Sequence, residues 1–569
     1  MRIIWTILAI VILLAACQQA EPTAEVAPTQ APAETTPAEA PTAAPEPTEA
    51  PPVAEEPVIL RVGGVNGPDC LNMFSCSTHW YFNYLLYEGF TGSGPRCETF
   101  PRLAESWEVS EDGTTWTLHL HEGIKYTDGT PFDAHSAVEY IEWFRSTSLK
   151  EWFYESTYMT EIKALDDYTV QFTTEVPIIT FPGYNSVWWW MLPPHIWTQL
   201  DDDTLYTFDE LPIGTGPYDL VEYVQGDHLI YEAKEDYYLG RPAVDRIVYQ
   251  IYANWDAVIQ ALRSGEIDVT ESAIPVSYIP VLETAEEVVV ETRPPGPIQA
   301  ITFNLYAGGN KHPAIEDPKV REAIDYATDK QQILDLAFEG YGMLCPTNWA
   351  CGPNFEGELN PDLEVTPFDP TMAMQILDEA GYLDTDGDGI RETADGQPLN
   401  FRVYVEAEEP TDLVSADLVQ QMLRDVGIET EVEAVESGTL WALVLGERDF
   451  DMTIRAYNTD LDPAYIDYIF SCWSADFGEG ALNESGYCND KVDELTFEYM
   501  TQPNMEEAMP YIFEAQAIVN QDRPIIFLAA SYMVEAYRTD RFDFPAPGES
   551  CDMNPGYWDW PLILEVKPK

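Results

Sequence analysis

The sequence predicts a mixed α/β protein of two or three domains behind a disordered tether. Three observations predict it. The chain has 569 residues, too many for one core, and 45% of them are apolar. Segments of strand and helix character alternate along it. No unit recurs at a fixed period, which argues against propellers and solenoids.

The elements follow in chain order. Ile3 to Leu14 form an apolar run behind the basic Met1-Arg2, too short to span a bilayer as a mature helix. Leu14-Ala-Ala-Cys17 resembles the bacterial lipobox, so residues 1–17 are expected to be a lipoprotein signal peptide ending at a lipidated Cys17. Residues 18–57 are mainly Ala, Pro, Thr and Glu. Such a segment buries no core and is expected to be a tether, reaching roughly 120 Å if fully extended.

Beyond the tether, Val58–Val62 reads as a strand, and Thr114–Leu120 alternates with period two as a half-buried strand does. Asp128-Gly-Thr-Pro131 is a turn, and Asp133 is placed to cap a helix beginning near Ala134. Tyr168–Thr173 and Ile247–Tyr252 are further strands. Asp256–Ser264 is a helix stopped by Gly265. Pro318–Phe338 carries apolar residues at helical spacing and ends at Gly340. Helices are also expected over Pro370–Ala380 and Ala416–Val426, each followed by a glycine.

Eight cysteines follow Cys17, an even number in an oxidising compartment, which points to disulfides. Cys345–Cys351 and Cys472–Cys488 are the expected local pairs. Zinc is disfavoured because no Cys-x-x-Cys occurs. The formal net charge is −71. Nucleic acid and anionic lipid are therefore poor partners, since both are bound through Lys and Arg. Solubility accounts for the acidity, and attraction of cationic ligands is the functional alternative.

Four stretches carry a family resemblance. Leu103–Phe132 is the first. Pro212-Ile-Gly-Thr-Gly-Pro-Tyr218 with Tyr237-Tyr-Leu-Gly-Arg-Pro242 is the second. Ile301-Thr-Phe-Asn304 with Val320–Ala327 is the third, and Ala380-Gly-Tyr382 with Phe450-Asp-Met-Thr-Ile454 is the fourth. In this order they resemble the family 5 extracellular solute-binding proteins, the dipeptide- and oligopeptide-binding group of ABC importers. The resemblance implies a two-lobed periplasmic-binding-protein fold of type II, with an extra subdomain in lobe I. By that analogy lobe I takes residues 58–95, 210–297 and 525–569, the extra subdomain 96–209, and lobe II 298–524. Ile298–Leu305 and Pro524–Leu528 are the expected hinge crossings. Closure on a solute excludes water, and the closed form is what permease subunits recognise.

Site residues follow from the same resemblance. Peptide-binding members often pair an Asp after the Phe-Asp strand with the ligand's amino terminus, which points to Asp460 in Ala456–Pro463, with Tyr457 and Asn458 beside it. This stretch is one residue shorter before its Pro than the usual pattern, and it lacks the nearby Trp. Trp473 and Asn483 are candidates by position in lobe II. In Trp188-Trp-Trp190, residues 188 and 190 share one strand face and offer a wall to a peptide side chain or a sugar; core packing is the alternative.

Separately, Asp384, Asp386, Asp388, the Ile390 carbonyl and Asp395 fall at positions 1, 3, 5, 7 and 12 of a calcium loop, with Gly389 at 6. A structural calcium is the only cofactor expected.

The expected function is a receptor for peptides at the cell surface or in the periplasm. It is expected to be a monomer, held to the membrane by its lipid alone and serving an ABC permease. An oligosaccharide receptor of the same fold is the alternative, motivated by 16 tryptophans and the altered Asp460 segment. A surface hydrolase is remote, because no Gly-x-Ser-x-Gly, His-Glu-x-x-His or phosphate-cradling loop occurs.

Overall fold

The structure, a computed structural model, describes residues 56–569 apart from 69, 75–79, 94–98, 150–155, 157, 180, 182–188, 202–203, 272–273, 294–295, 348–356, 458–464, 477–482 and 546–561. Strand β1 (Ile59–Gly64) begins the first sheet. Four later strands stand apart from it: β2 (Ala104–Val109), β3 (Thr115–Leu120), β4 (Met159–Asp166) and β5 (Thr169–Thr174), in the order β2-β3-β5-β4. The period-two pattern of β3 buries Trp116, Leu118 and Leu120. Helix α1 (Ala134–Ser146) packs on β4, and its start is fixed as expected: Asp133 accepts the Ser136 N–H while Ser136 returns a bond to the Asp133 N–H.

The chain then returns to the first sheet through β6 (Tyr218–Val224), β7 (His228–Ala233), β8 (Arg246–Ile251), β9 (Val269–Thr270) and β10 (Val288–Arg293). Helix α2 (Trp255–Ser264) stops at Gly265, whose φ of 78° suits glycine. A second sheet begins with β11 (Ile298–Phe303) and adds β12 (Gly342–Met343), β13 (Asn400–Glu406), β14 (Glu429–Val435), β15 (Met452–Tyr457) and β16 (Ile525–Ser531). β17 (Met533–Arg538) goes back to the first. The orders are β10-β17-β9-β1-β8-β7-β6 and β12-β16-β11-β15-β13-β14.

Two sheets joined in this way make two lobes, and each lobe has its own buried apolar clusters. The chain passes between them twice, from β10 to β11 and from β16 to β17. Most of the expected crossings, Ile298–Phe303 of Ile298–Leu305 and Ile525–Leu528 of Pro524–Leu528, is instead strand in the second sheet, whose last strand runs to Ser531. The correction is physical. All of Ile298–Phe303 and of Ile525–Ala530 is buried, as central strands between two helical layers must be.

The two crossings are bonded to each other. Gly296 N–H donates to Ser531 O at 2.7 Å, and Ser531 N–H to Pro297 O at 3.0 Å. A Cβ at Gly296 would lie 2.6 Å from Ser531 O, so the approach needs glycine. On the lobe I side, Arg293 Nη2 meets Glu535 Oε2 at 2.8 Å, both side chains buried.

Lobe II helices include α3 (Pro318–Ala327), α4 (Lys330–Ala337), α5 (Pro370–Ala380), α6 (Pro410–Asp425) and α7 (Asp490–Met500). The single helix expected over Pro318–Phe338 is therefore two. Thr328 turns its hydroxyl onto the Ile324 carbonyl, and Asp329 caps the next helix through Gln332 N–H. α6 begins six residues before the expected Ala416, because Pro410 suits a first helical turn. Cys472 and Cys488 form the expected disulfide, and Cys70 and Cys345 each belong to a disulfide of their own. Cys17 and Cys351 lie outside the described residues. No helix among the described residues is long and apolar enough to cross a membrane.

Replacing Arg293 by Met takes the guanidinium away from the buried Glu535 carboxylate. We expect a loss of about 3–5 kcal/mol in chemical denaturation. A loss under 1 kcal/mol would show that the pair is not needed at the crossing.

Candidate functional site

In an open α/β sheet, ligands bind in the crevice beyond the carboxyl ends of the parallel strands. β13, β14 and β15 run parallel, and Tyr457 at the end of β15 is level with Ile298, where β11 enters from lobe I. The carboxyl ends of β13 and β15 therefore face lobe I beside the crossings. In lobe I, β1, β8 and β9 are parallel and end at Gly64, Ile251 and Thr270. The lobes also meet away from the crossings: Ile179 N–H donates to Met500 O at 2.9 Å, and Tyr158 lies against Phe497 of α7.

On the lobe I side the turn after β1 is held by the buried Glu271. Its carboxylate accepts Val65 N–H at 2.7 Å and Tyr249 O–H at 2.5 Å. Gly64 makes room: a Cβ there would lie 2.0 Å from Tyr249 Oη and 2.4 Å from Glu271 Cδ.

On the lobe II side a charged group surrounds the ends of β13 and β15. Arg455 bonds Glu484 and lies 3.8 Å from Glu406, with its guanidinium over the Trp441 ring at 4.4 Å. Tyr457 O–H donates to Glu484 Oε2 at 2.8 Å and bonds Thr302 Oγ1 at 2.6 Å. Gln299 Nε2 donates to Asp412 Oδ1, in the first turn of α6, at 2.6 Å. Glu409 stands between β13 and α6 as the residue before Pro410.

The charges act on one another. Burial pushes the Asp412 carboxyl up to about 7 against the Gln299 bond, and Glu409 and Glu406 add to the rise. Burial also raises Glu406, where Arg455 opposes and Glu484 and Glu408 reinforce. Burial works against the Arg455 charge, yet Glu484 and Glu406 hold that guanidinium above its ordinary value.

Among the residues proposed from sequence, Tyr457 belongs to this group. Trp190 does not: it is 1% exposed, packed against Tyr84 and Tyr87 inside lobe I, because an indole is better buried than offered to solvent here. Asn483 is fully buried; its amide donates to Ser471 O and Tyr487 O and accepts from Ser485. It holds a lobe II loop rather than a solute. Trp473 Nε1 donates to Asp467 Oδ2 at 2.7 Å and so fixes its own short helix. Asn458, Asp460 and Trp188 lie outside the described residues. The sequence reading missed Gln299, Glu406, Glu409, Asp412, Arg455 and Glu484. The acidic run Glu406-Ala-Glu-Glu409 just past a strand of the second lobe was the available signal.

The acidic loop after α5 departs from its expected form. Carboxylate oxygens of Asp384, Asp386, Asp388 and Glu392 lie within 4.8 Å of one another, and Asp395 is not among them. Glu392 is turned inward by bridges to Leu383 and Pro398, while the tight Thr393–Gln397 turn carries Asp395 outward. The loop is held by its own backbone: Asp384 accepts from Gly387 and Gly389, Asp386 from Asp388, and Asp388 from Ile390. The grouping alone does not make a calcium site. The small pocket beside Asp325 in lobe II is also self-satisfied, with Asp325 bonding Lys330, Thr366 and Arg523.

The family signature of bacterial extracellular solute-binding proteins, family 5 (middle), matches residues 98–477. The chain belongs to that family. This solute-binding protein is 26% identical over 461 residues to the glutathione-binding protein GsiB of Pectobacterium atrosepticum, covering 79% of this chain and 84% of that one. It is 25% identical over 465 residues to the oligopeptide-binding protein AppA of Bacillus subtilis, covering 78% and 80%. In fold it is similar to NikZ from Campylobacter jejuni in complex with Ni(L-His), with a TM-score of 0.78 at 22% identity over 90% of this chain and 99% of that one. The fold is the two-lobed type II periplasmic-binding-protein fold. As a family 5 member the chain is a binding receptor of an ABC importer and works outside the cytoplasm.

The raised Asp412 carboxyl gives a pH prediction. Its folded value lies above its unfolded one, so its contribution is full below about pH 4 and is lost as pH rises through about 7. Asp412→Asn keeps an acceptor for Gln299 and removes the titration. The parent's melting temperature, measured relative to the variant's, should therefore fall between pH 5 and pH 8. A constant difference across that range contradicts the assignment.

Proposed function

We propose that this solute-binding protein captures peptides between its lobes and delivers them, chemically intact, to an ABC permease. The observation that carries the reading is the pair of bonded crossings set beside the carboxyl ends of parallel strands from both lobes. Such an arrangement lets two rigid bodies close on a guest. A peptide as the guest is supported by relatives named for binding glutathione and oligopeptides. The sugar reading loses one of its motives, since Trp190 packs in a core. Nickel, bound by a structural relative, is less favoured. Among the described residues the two groups with metal-ligand geometry are the acidic loop and a set containing the Cys472–Cys488 disulfide, and neither includes a residue of the charged group at β13 and β15.

The tether and Cys17 complete the proposal: a lipid anchor on the outer face of the membrane, with a monomeric body free to meet its permease. Cys17→Ser should move the protein from the membrane fraction to the soluble fraction of its host, and unchanged fractionation would remove the anchor.

Calorimetry with peptide and oligosaccharide libraries tests the solute class. Peptides should bind, and mass spectrometry should recover them unaltered. Sugar binding without peptide binding overturns the peptide reading, and cleaved products overturn the receptor reading.

A further inference from the structure

The group at the ends of β13 and β15 holds more negative charge than it answers. One guanidinium, Arg455, serves three carboxylates, Glu484, Glu406 and Asp412, and the charge of Glu409 acts on two of them. Glu484 and Asp412 are each 3% exposed, and Glu408 adds a further charge nearby. The α6 N-terminus eases part of this field. Glu408 and Glu409 stand in solvent, but at Glu406, Glu484 and Asp412 the remaining excess is costly unless a proton or another cation joins it.

A second observation is independent of the acids. Gln299 is 1% exposed, and no described donor reaches its amide oxygen Oε1. The amide nitrogen of the same group touches Asp412, so the oxygen lies at the same carboxyl-end edge. A buried acceptor of this kind is costly if it stays without a donor. The carboxylates to hand are acceptors too, and Arg455 turns its Nη1 to Glu484, its Nε standing without a hydrogen bond. What completes the group is therefore a donor that carries positive charge.

We propose that the solute bears a cationic nitrogen, seated beyond the carboxyl end of β13 by Glu406, Glu409 and Asp412, with Gln299 Oε1 as the neutral acceptor. The inference rests on the interlobe cleft as the binding site, and it narrows the solute to an amine or a basic side chain. The raised carboxyls agree with it, since each group is poised to exchange a proton for another cation. The charged and titratable groups facing the seat are Glu406 of β13, Glu408 and Glu409 of the turn, Asp412 of α6, Arg455 and Tyr457 of β15, and Glu484.

Three probes decide it by calorimetry at pH 7.5 on the full chain freed of endogenous solute: the peptide Ala-Lys-Ala-Ala, the same peptide with both amines acetylated, and spermidine. The unmodified peptide should bind at least tenfold more tightly, about 1.4 kcal/mol, than the acetylated one. Glu406→Gln with Glu409→Gln should abolish that preference, and Glu406→Asp with Glu409→Asp should keep it. Spermidine binding without peptide binding supports the cationic seat and overturns the peptide reading. Acetylated peptide binding as tightly as the free peptide overturns the seat and leaves the peptide reading intact. A preference that survives the double Gln change also overturns the seat. Binding of none of the three overturns both.

Discussion

The structure depends on holding two crossings side by side. The bonds between Gly296 and Ser531 and between Ser531 and Pro297 tie one crossing to the other, and the Arg293–Glu535 pair anchors both strands in lobe I. A single covalent link between lobes would allow rotation about several axes. Two bonded crossings restrict that freedom, and the proposed closure is a bend about them. The functional site exists only through that restriction, because its walls come from separate sheets.

The walls differ in kind. In lobe I, Glu271 is spent on the turn after β1 and gives that wall rigidity. In lobe II, carboxylates outnumber the one guanidinium among them, and their proton affinities are raised. Rigidity on one side and unspent charge on the other fit a receptor: one surface supplies shape, the other a charge that a guest completes. The extra subdomain, touching α7 through Ile179 and Tyr158, gives the lobes a meeting point beyond the hinge.

Much of the local structure was legible in the sequence. Asp133, Gly265 and Gly381 mark helix ends through chemistry that acts within a few residues, and each falls at its expected boundary. Thr328 and Asp329 were misread because helical spacing of apolar residues runs on across a break made by two side chains. The charged group was not legible, because Gln299, Glu406, Asp412, Arg455 and Glu484 come from separate elements and meet only when β11, β13 and β15 pair. Trp190 shows the opposite error. Its aromatic neighbours in sequence suggested a binding wall, whereas burial is what such a side chain most often provides. Asp395 failed for a similar reason, since a motif counted along the chain cannot register a tight turn that redirects one member.

The central claim is that two halves bend about the paired crossings around a guest. X-ray solution scattering of the full chain, before and after saturation with a binding peptide, tests it directly. The account predicts a smaller radius of gyration with the peptide bound. Superimposable curves under saturating peptide, with binding verified in the same sample, would contradict it.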